Sequence, residues 1–413
     1  MKRWAFLALL LAVGLLAACK AGEKGQGEEG KPATLEPYKI GVMADITGTQ
    51  AVQYAPVYEG FRNYFQNLNA KGGIDGHPVE LTLEDNRSLP ELAITATKKF
   101  SEGGAILIAD IALSATLSPG ITEAEKTGMP FLVGTSCMFP QNYPPNPLPN
   151  AFCVGWAGVQ YSGGAPVVIK ELTKEGPAPK VALLGVDSPV GRAATDAAER
   201  TAKAVGLEVV TRADVPPGTT DFTAYADKFI AAKADWLQAG APVGITFPTY
   251  EALVRRGWKG NYILDFVVGC GDAILEKYKR EDLMAFCMHT RLAEGLPVFK
   301  EIKAAVDKYG ATYPIDEFGI VWGWNNGMMV EHLLRQCGWP CTREKALATA
   351  NNLEFPKEIF KGLQPGPIKW TPQDHAGVRY MRLDRWDSAK GKIVPISKWW
   401  RMEARPGELV PLD

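Results

Sequence analysis

From Lys39 onwards, short apolar runs rich in β-formers alternate with longer segments of helical periodicity, and this alternation limits the possible folds most strongly. The run KIGVMA (39–44) predicts a buried strand, and residues 54–70 predict a helix with its aromatic side chains on one stripe. The same order continues through VELTLED (79–85), AILIAD (105–110) and PFLVG (130–134). Repeated strand-helix units predict an α/β fold in which parallel sheets are covered by helices on both faces.

The alternation starts again after a proline-rich loop, which predicts a second α/β lobe. Its strands are predicted at KVALLGVD (180–187), LEVVTRAD (207–214), ADWLQAG (234–240) and NYILDFVV (261–268). The C-terminal third carries long helical stretches at 298–309 and 318–337, and then aromatic strands at 378–386 and 392–400. This third is too short for another α/β domain, so we expect it to complete the first two.

The first residues have the pattern of a bacterial lipoprotein signal peptide. Lys2 and Arg3 precede an apolar run at 4–16, and small residues lead directly to Cys19. We therefore expect residues 1–18 to be removed and Cys19 to carry a lipid. Residues 19–37 are rich in Gly, Glu and Lys, a composition typical of a flexible tether. An ordinary secretory signal with a chance cysteine is the alternative.

Composition narrows the function classes. The 413 residues exceed the usual size of one hydrophobic core, and 46% hydrophobic with 22% charged residues is ordinary for a globular protein. A net charge of -1 argues against a nucleic-acid partner. We expect an extracytoplasmic protein that is held at the membrane only by its lipid anchor.

Six cysteines follow Cys19, and an oxidising compartment favours their pairing. Sequence alone permits fifteen pairings; the prediction is the sequential one, which pairs Cys137 with Cys153, Cys270 with Cys287, and Cys337 with Cys341. Metal or redox chemistry at CGWPC (337–341) is the alternative. The four histidines are widely scattered, no GxSxG, Walker A or HExxH motif is present, and no GxGxxG opens a helix after a strand. The sequence therefore favours neither an enzyme nor a metal site.

Ligands of open parallel sheets bind beyond the carboxyl ends of the strands. The loops there are DITGTQAVQY (45–54), IALSAT (111–116) and TSC (135–137), and small hydroxyl residues dominate them. They suit a carboxylate or another small polar group, although helix capping by Ser and Thr is the alternative. The aromatic run VWGWNNGMM (321–329) indicates either core packing or a cleft that Trp324 partly lines.

The segment YKIGVMADITGTQAVQYAPVYEGFRNYFQNLNAKGGIDGHPVELTLEDN (38–86) resembles the start of the branched-chain amino-acid-binding proteins. These are type I periplasmic substrate-binding proteins of ABC transporters, and NAKGGIDGHPVEL (69–81) is the most specific part of the match. Further matches lie in DSPVGRAATDAAERTAKAVGLEVV (187–210), TTDFTAYADKF (219–229) and GPIKWTPQDHAGVRYMRLDRW (366–386).

The resemblance implies two Rossmann-like lobes joined by three crossing segments, with the ligand in the cleft between them. The implied bounds are 38–154 plus 291–365 for lobe 1, 155–290 plus 366–400 for lobe 2, and a C-terminal tail at 401–413. It implies a monomeric lipoprotein without a cofactor, which closes around a small solute and delivers it to an ABC permease with its ATPase subunits. A ligand-sensing receptor subunit of the same fold is the alternative.

The family's ligand contacts can be carried over onto matching positions. After the strands of the first lobe they fall on Gln53, Tyr54, Leu113, Ser114, Thr135, Ser136 and Cys137. Elsewhere they fall on Gln160, Tyr161, Pro242, Phe266 and Trp324. The proline-rich loop between Cys137 and Cys153 is expected to form a stiff wall beside the cleft.

Three departures from the family pattern bear on the ligand. Val190 replaces a tyrosine, Pro242 lies where an aromatic residue is usual, and residues 266–268 (FVV) replace the acidic residue that neutralises a ligand ammonium. An ammonium buried without a partner is costly. We therefore expect a neutral or anionic solute with an apolar or aromatic body, such as a carboxylate or an amide.

Overall fold

The computed structural model describes residues 35–112, 114–135, 137, 146–156, 158–265, 272–316, 319–403 and 407–412, without the side chains of residues 114, 272 and 273. Several predictions lie outside this part of the chain: the signal peptide, the lipidation of Cys19, most of the tether, and the contacts of Leu113, Ser136 and Phe266. In the described part, no helix is both long and apolar enough to span a bilayer.

The first sheet has five parallel strands in the order β2-β1-β3-β4-β5. They are β1 (Tyr38–Ala44), β2 (Val79–Asp85), β3 (Leu107–Ile111), β4 (Phe131–Val133) and β5 (Ala151–Cys153). Helix α1 (Ala51–Ala70) packs on one face, and α2 (Pro90–Glu102) and α3 (Ser114–Glu125) pack on the other. The predicted α/β unit is confirmed: β1, β3, β4 and β5 are short, apolar and largely buried, while the edge strand β2 is only partly buried.

The second sheet repeats this winding order in β7-β6-β8-β9-β10. Its parallel strands are β6 (Lys180–Val186), β7 (Glu208–Val215), β8 (Trp236–Gly240), β9 (Asn261–Leu264) and β10 (Leu283–Cys287). The helices of this unit are α4 (Gly158–Leu172), α5 (Pro189–Ala204), α6 (Thr223–Ala231), α7 (Val243–Arg255) and α8 (Asp272–Tyr278). Two doubly wound sheets of one topology therefore follow each other, as the sequence predicts.

The C-terminal third divides between the two sheets, which confirms that it completes them. Helices α9 (Pro297–Tyr309) and α10 (Ile320–Cys337) pack on α1, and α11 (Arg343–Ala350) packs on α10. The remaining strands are β11 (Glu354–Phe355), β12 (Ile368–Lys369), β13 (Tyr380–Asp387), β14 (Lys392–Pro395), β15 (Trp400–Met402) and β16 (Leu409–Pro411). Strands β13 to β16 extend the second sheet by antiparallel pairing.

The predicted tail at 401–413 contains most of β15 and all of β16. Trp400 and Met402 are buried against the second sheet, and Arg401 pairs with Val410 in the antiparallel ladder. Burying these two large side chains holds the segment in the sheet.

The chain passes between the two sheets three times: after β5, after β10, and between α11 and β13. The crossing segments lie side by side. The N–H of Cys153 donates to the carbonyl of His375 at 2.9 Å, and the N–H of Val378 donates to the carbonyl of Gly155 at 2.9 Å. The N–H of Thr290 donates to the carbonyl of Leu363 at 2.9 Å. The three passages are therefore joined to one another as well as to the sheets.

Candidate functional site

The loop after β1 is fixed by two carboxylates at the carboxyl end of the first sheet. Asp45 accepts the N–H of Gly48 at 2.7 Å and the N–H of Gln50 at 3.2 Å, while Asp85 accepts the N–H of Ile46 at 3.2 Å. The predicted contact Gln53 lies in the first turn of α1, half-buried, directly beyond this loop. These bonds shape the edge of the sheet before any ligand is present.

Thr135 is the predicted contact whose surroundings the structure defines best. Its hydroxyl donates to the carbonyl of Ala112 at 2.9 Å, and its carbonyl accepts the N–H of Trp156 at 3.1 Å. The residue is 1% exposed, and among the described residues its backbone N–H has no hydrogen-bond acceptor. A buried donor without an acceptor costs about 1–3 kcal/mol, which makes this N–H a candidate donor to a ligand acceptor.

The carbonyl before this N–H belongs to Gly134, and α10 holds it. The indole Nε1 of Trp322 donates to it at 2.8 Å, and the amide Nδ2 of Asn326 donates to it at 2.6 Å. The Trp322 ring contacts Trp156 edge-on, with ring centroids 5.0 Å apart, and stacks on His289 with centroids 5.9 Å apart. Trp156 and His289 follow β5 and β10, so the cluster joins α10 to two of the crossing segments.

Trp324 lies on the other side of α10 from Trp322. Successive helical residues are turned by about 100°, so these two side chains point about 200° apart. The Trp324 ring packs edge-on against Tyr64 of α1 with centroids 5.0 Å apart, and it is fully buried. This placement agrees with core packing of Trp324, and Trp322 occupies the position at the sheet edge.

One acidic and one aromatic side chain, Asp110 and Tyr54, are buried near the carboxyl end of β3. Asp110 is fully buried, and no side chain among the described residues donates a hydrogen bond to its carboxylate. Burial raises the pKa of Asp110 well above its usual range. Burial also raises the pKa of Tyr54, and the nearby charges of Asp110 and Asp45 raise it further. Burial of Asp110 therefore disfavours its charged form.

The predicted contacts of the second lobe are placed differently from one another. Gln160 is buried near the start of α4, and the hydroxyl of Tyr161 donates to the carbonyl of Tyr380 at 2.5 Å. That bond ties α4 to β13, so this hydroxyl hydrogen is already used. Pro242 is exposed at the start of α7, directly after β8.

Asp265 follows β9, close to the position where the family pattern requires an acid. It is 3% exposed and accepts a hydrogen bond from the side-chain amide of Gln238. Burial raises its pKa to about 6. Asp265 lines a small cavity of about 10 Å³ together with Gln238, Ser162 and Gly240. The side chain is therefore enclosed by the second lobe.

Large apolar side chains are exposed where helices begin at the sheet edges. Val52 is 78% exposed in the first turn of α1, and Leu89 is 42% exposed directly before α2. In the second sheet, Val243 is 40% exposed at the first residue of α7. Both edges thus offer apolar surface to a ligand.

Two of the three predicted disulfides are confirmed. Cys137 is bonded to Cys153 with Cα atoms 5.9 Å apart, and Cys337 is bonded to Cys341 with Cα atoms 5.7 Å apart. Cys287 is disulfide-bonded, but Cys270 lies outside the described residues, so that pairing stays a prediction. Cys137 is fully buried, and its thiol is consumed by the bond. Among the described residues, no group of three His, Cys, Asp or Glu side chains could hold a metal ion.

Sequence reasoning missed Asp110, Trp156, Asn326 and the role of Trp322. Signals for them were present, because an aspartate interrupts the apolar strand AILIAD and two asparagines interrupt the apolar helix VWGWNNGMM. A polar residue in a buried element needs a partner or a function.

Two doubly wound sheets of equal topology are joined by three adjacent passages and carry polar loops at their carboxyl edges, which is the architecture of a two-lobed ligand-binding protein. A family model described as periplasmic binding protein matches residues 37–392. The chain belongs to this family, whose members are extracytoplasmic, and the resemblance found in the sequence is confirmed.

The relatives agree with this assignment. The chain is 25% identical over 206 residues to a Leu/Ile/Val-binding protein, BraC3, of Rhizobium johnstonii, covering 49% of this chain and 53% of that protein. It therefore spans about half the length of the curated relatives that it matches.

Solved structures share the fold over almost the whole chain. A solute-binding protein of an ABC transporter from Rhodopseudomonas palustris, in complex with 3,4-dihydroxybenzoic acid, has a TM-score of 0.70 at 18% identity and covers 90% of this chain and 99% of its own. A fatty acid ABC transporter substrate-binding protein from Thermomonospora curvata has a TM-score of 0.71 at 17% identity, covering 91% and 95%. At these identities the likeness shows the fold alone.

Proposed function

We propose that this protein is the solute-binding lipoprotein of an ABC importer and closes its two lobes around one small solute. The buried N–H of Thr135 carries the proposal, because it lacks an acceptor among the described residues at the carboxyl edge of the first sheet. A carboxylate or carbonyl oxygen of the solute satisfies this donor. Closure is favourable when the solute contacts both edges only in the closed state.

The proposed solute is neutral or anionic and has an apolar or aromatic body. Residues 266–268 (FVV) carry no acid, and the Asp265 carboxylate is buried against Gln238 in the second lobe, which argues against an acidic side chain that is free to hold an ammonium group. The exposed Val52 and Val243 supply apolar contact from the two edges. Relatives that bind 3,4-dihydroxybenzoic acid or are described as fatty acid transporters illustrate this class on the same fold.

We propose next how the protein is held at the membrane, where it delivers the solute, and which residues form its lobes and contacts. A lipid on Cys19 and the tether at 19–37 keep the monomer at the membrane, where the closed form meets the permease and its ATPases. Residues 38–154 with 291–365 form one lobe, and residues 155–290 with 366–400 form the core of the other. Gln53, Tyr54, Ser114, Thr135, Gln160 and Pro242 stay the proposed ligand contacts among those that the structure describes.

Thermal unfolding of the chain from residue 20 onwards tests the solute class. We expect 3,4-dihydroxybenzoate, octanoate or benzamide to raise the melting temperature, and leucine to leave it unchanged. A ligand at a hundred times its dissociation constant stabilises by about 2.7 kcal/mol, which is about 3 °C for a chain of this length. Calorimetric titration then confirms a one-to-one complex. A clear preference for leucine over every acid and amide would contradict the proposed class.

A further inference from the structure

The peptide group between Gly134 and Thr135 is held from one side only. Both α10 donors, the Trp322 indole and the Asn326 amide, converge on the Gly134 carbonyl at 2.8 and 2.6 Å. The preceding N–H, that of Gly134, donates to the carbonyl of Asp110 at 2.7 Å. The peptide group therefore has its oxygen fixed towards α10.

Planarity then fixes the direction of the N–H. The Gly134–Thr135 bond is trans, since the only cis peptide in the described part of the chain is Trp339–Pro340. In a trans peptide the C=O and the following N–H point in opposite directions. The Thr135 N–H therefore points away from the α10 donors.

We infer that Trp322 and Asn326 are positioning residues that orient the Thr135 N–H towards the ligand acceptor. They also link this orientation to the crossing segments. The inference rests on the proposed function, because it needs a ligand at the first sheet's edge. The connection runs through the Trp322 ring, which contacts Trp156 of the first passage and His289 of the second. A movement of either passage therefore acts on the ring that holds the ligand-binding peptide.

The chain offers a matched control for this inference. Trp322 and Trp324 are both fully buried on one helix, but the Trp324 Nε1 has no hydrogen-bond partner among the described residues. Replacing either with phenylalanine removes an indole N–H and leaves an aromatic ring. Only Trp322→Phe removes a hydrogen bond to Gly134.

The first measurement needs no ligand. Gly134–Thr135 is one of three Gly-Thr pairs in the chain, with Gly48–Thr49 and Gly218–Thr219. Selective labelling of glycine carbonyl carbon and threonine nitrogen therefore gives three peaks in a deuterated sample. We expect Trp322→Phe and Asn326→Leu to displace only the Gly134–Thr135 peak, and Trp324→Phe to displace none. An unmoved peak in Trp322→Phe, or equal movement in both tryptophan variants, would overturn the inference.

The second measurement tests the coupling to a ligand acceptor, with 3,4-dihydroxybenzoate and 3,4-dihydroxybenzyl alcohol as probes. Loss of one hydrogen bond that orients the donor should weaken binding of the acid about three- to tenfold in Trp322→Phe. The alcohol, which lacks the carboxylate, should lose less, and Trp324→Phe should bind both as the wild type does. Equal losses of affinity for the acid and the alcohol would show that Trp322 has only a structural role, which would overturn the inference.

The two measurements separate this inference from the proposed function. If the wild type binds no acid or amide, the proposed solute class fails, while the labelled peak still decides whether α10 holds the peptide. If the acid binds and the peak moves as expected but affinity is unchanged in Trp322→Phe, the solute class stands and the positioning role is wrong.

Discussion

At the scale of the residue, Asp265 makes stability depend on pH in a defined window. Burial raises its pKa from an ordinary value of 3.8 to about 6. Its contribution to folding is complete below about pH 4 and is lost as the pH rises through 6, because the folded state binds the proton more tightly. Asp265→Asn keeps an acceptor for Gln238 but cannot ionise. We expect its unfolding free energy, relative to wild type, to rise by about 2 kcal/mol between pH 4 and pH 7.

Urea unfolding of both proteins at each pH measures this difference directly. Asp110, whose pKa is also raised by burial, is present in both proteins, so its contribution cancels. A difference that stays constant from pH 4 to pH 7 would show that the Asp265 carboxyl titrates in the folded state as it does in the unfolded chain.

At the scale of the element, the approach of α10 to α1 depends on glycine. A Cβ on Gly323 would lie 1.9 Å from the carbonyl oxygen of Val57, and one on Gly60 would lie 2.1 Å from that of Ile320. We expect Gly323→Ala to force the helices apart and to lower the unfolding free energy by about 2 kcal/mol or more, because the obstacle is backbone. The same shift would pull Trp322 from Gly134 and weaken ligand binding.

Gly244 in α7 is the matched control, because a Cβ there meets no atom within 4 Å. Gly244→Ala should be neutral or stabilising by up to about 1 kcal/mol, as helix propensity requires. Denaturation midpoints of the two variants and of the wild type measure these differences in stability. Equal stability of Gly323→Ala and wild type would mean that the two helices are free to move apart.

The sequence predicts where the strands and helices lie along the chain, but it does not predict how they are oriented against one another. Strands such as KIGVMA and KVALLGVD are found because short continuous apolar runs between helical segments are typical of buried parallel strands. Trp322 and Trp324, in contrast, share one apolar helix, and either can face the sheet edge. The close contact of α10 with α1 decides which tryptophan faces the sheet edge, because it turns Trp324 towards Tyr64 of α1. Such a contact between segments distant in sequence is not visible in one sequence.

In the candidate site, too, the residues are predictable but their contacts with distant segments are not. Thr135 is predictable because its loop follows a strand, but its available N–H is not, since that depends on acceptors and donors from α10, β3 and the first passage. The strands predicted as a tail were missed because only the exposed edge of the second sheet gives residues 400–402 and 409–411 a partner.

At the scale of the whole molecule, one hydrophobic core runs through both sheets. It contains Ile40 and Leu132 of the first sheet and Val181 and Ile263 of the second. Residues in the passages and in the elements next to them join these two groups, among them Phe152, Val154, Trp156, Tyr161, Val378 and Tyr380. A core shared across the passages couples the unfolding of one lobe to that of the other.

We therefore expect a single cooperative thermal transition, with calorimetric and van't Hoff enthalpies in a ratio near one, although two separate sheets are present. Trp156→Ala is expected to cost about 3–5 kcal/mol, because a fully buried indole leaves a cavity between the sheets. Its loss should also separate the lobes into two transitions and raise the ratio above one. Tyr225, at the margin of a core confined to the second lobe, gives the control, since Tyr225→Ala should leave one transition. Two transitions in the wild type would show that the passages connect the lobes without coupling their stability.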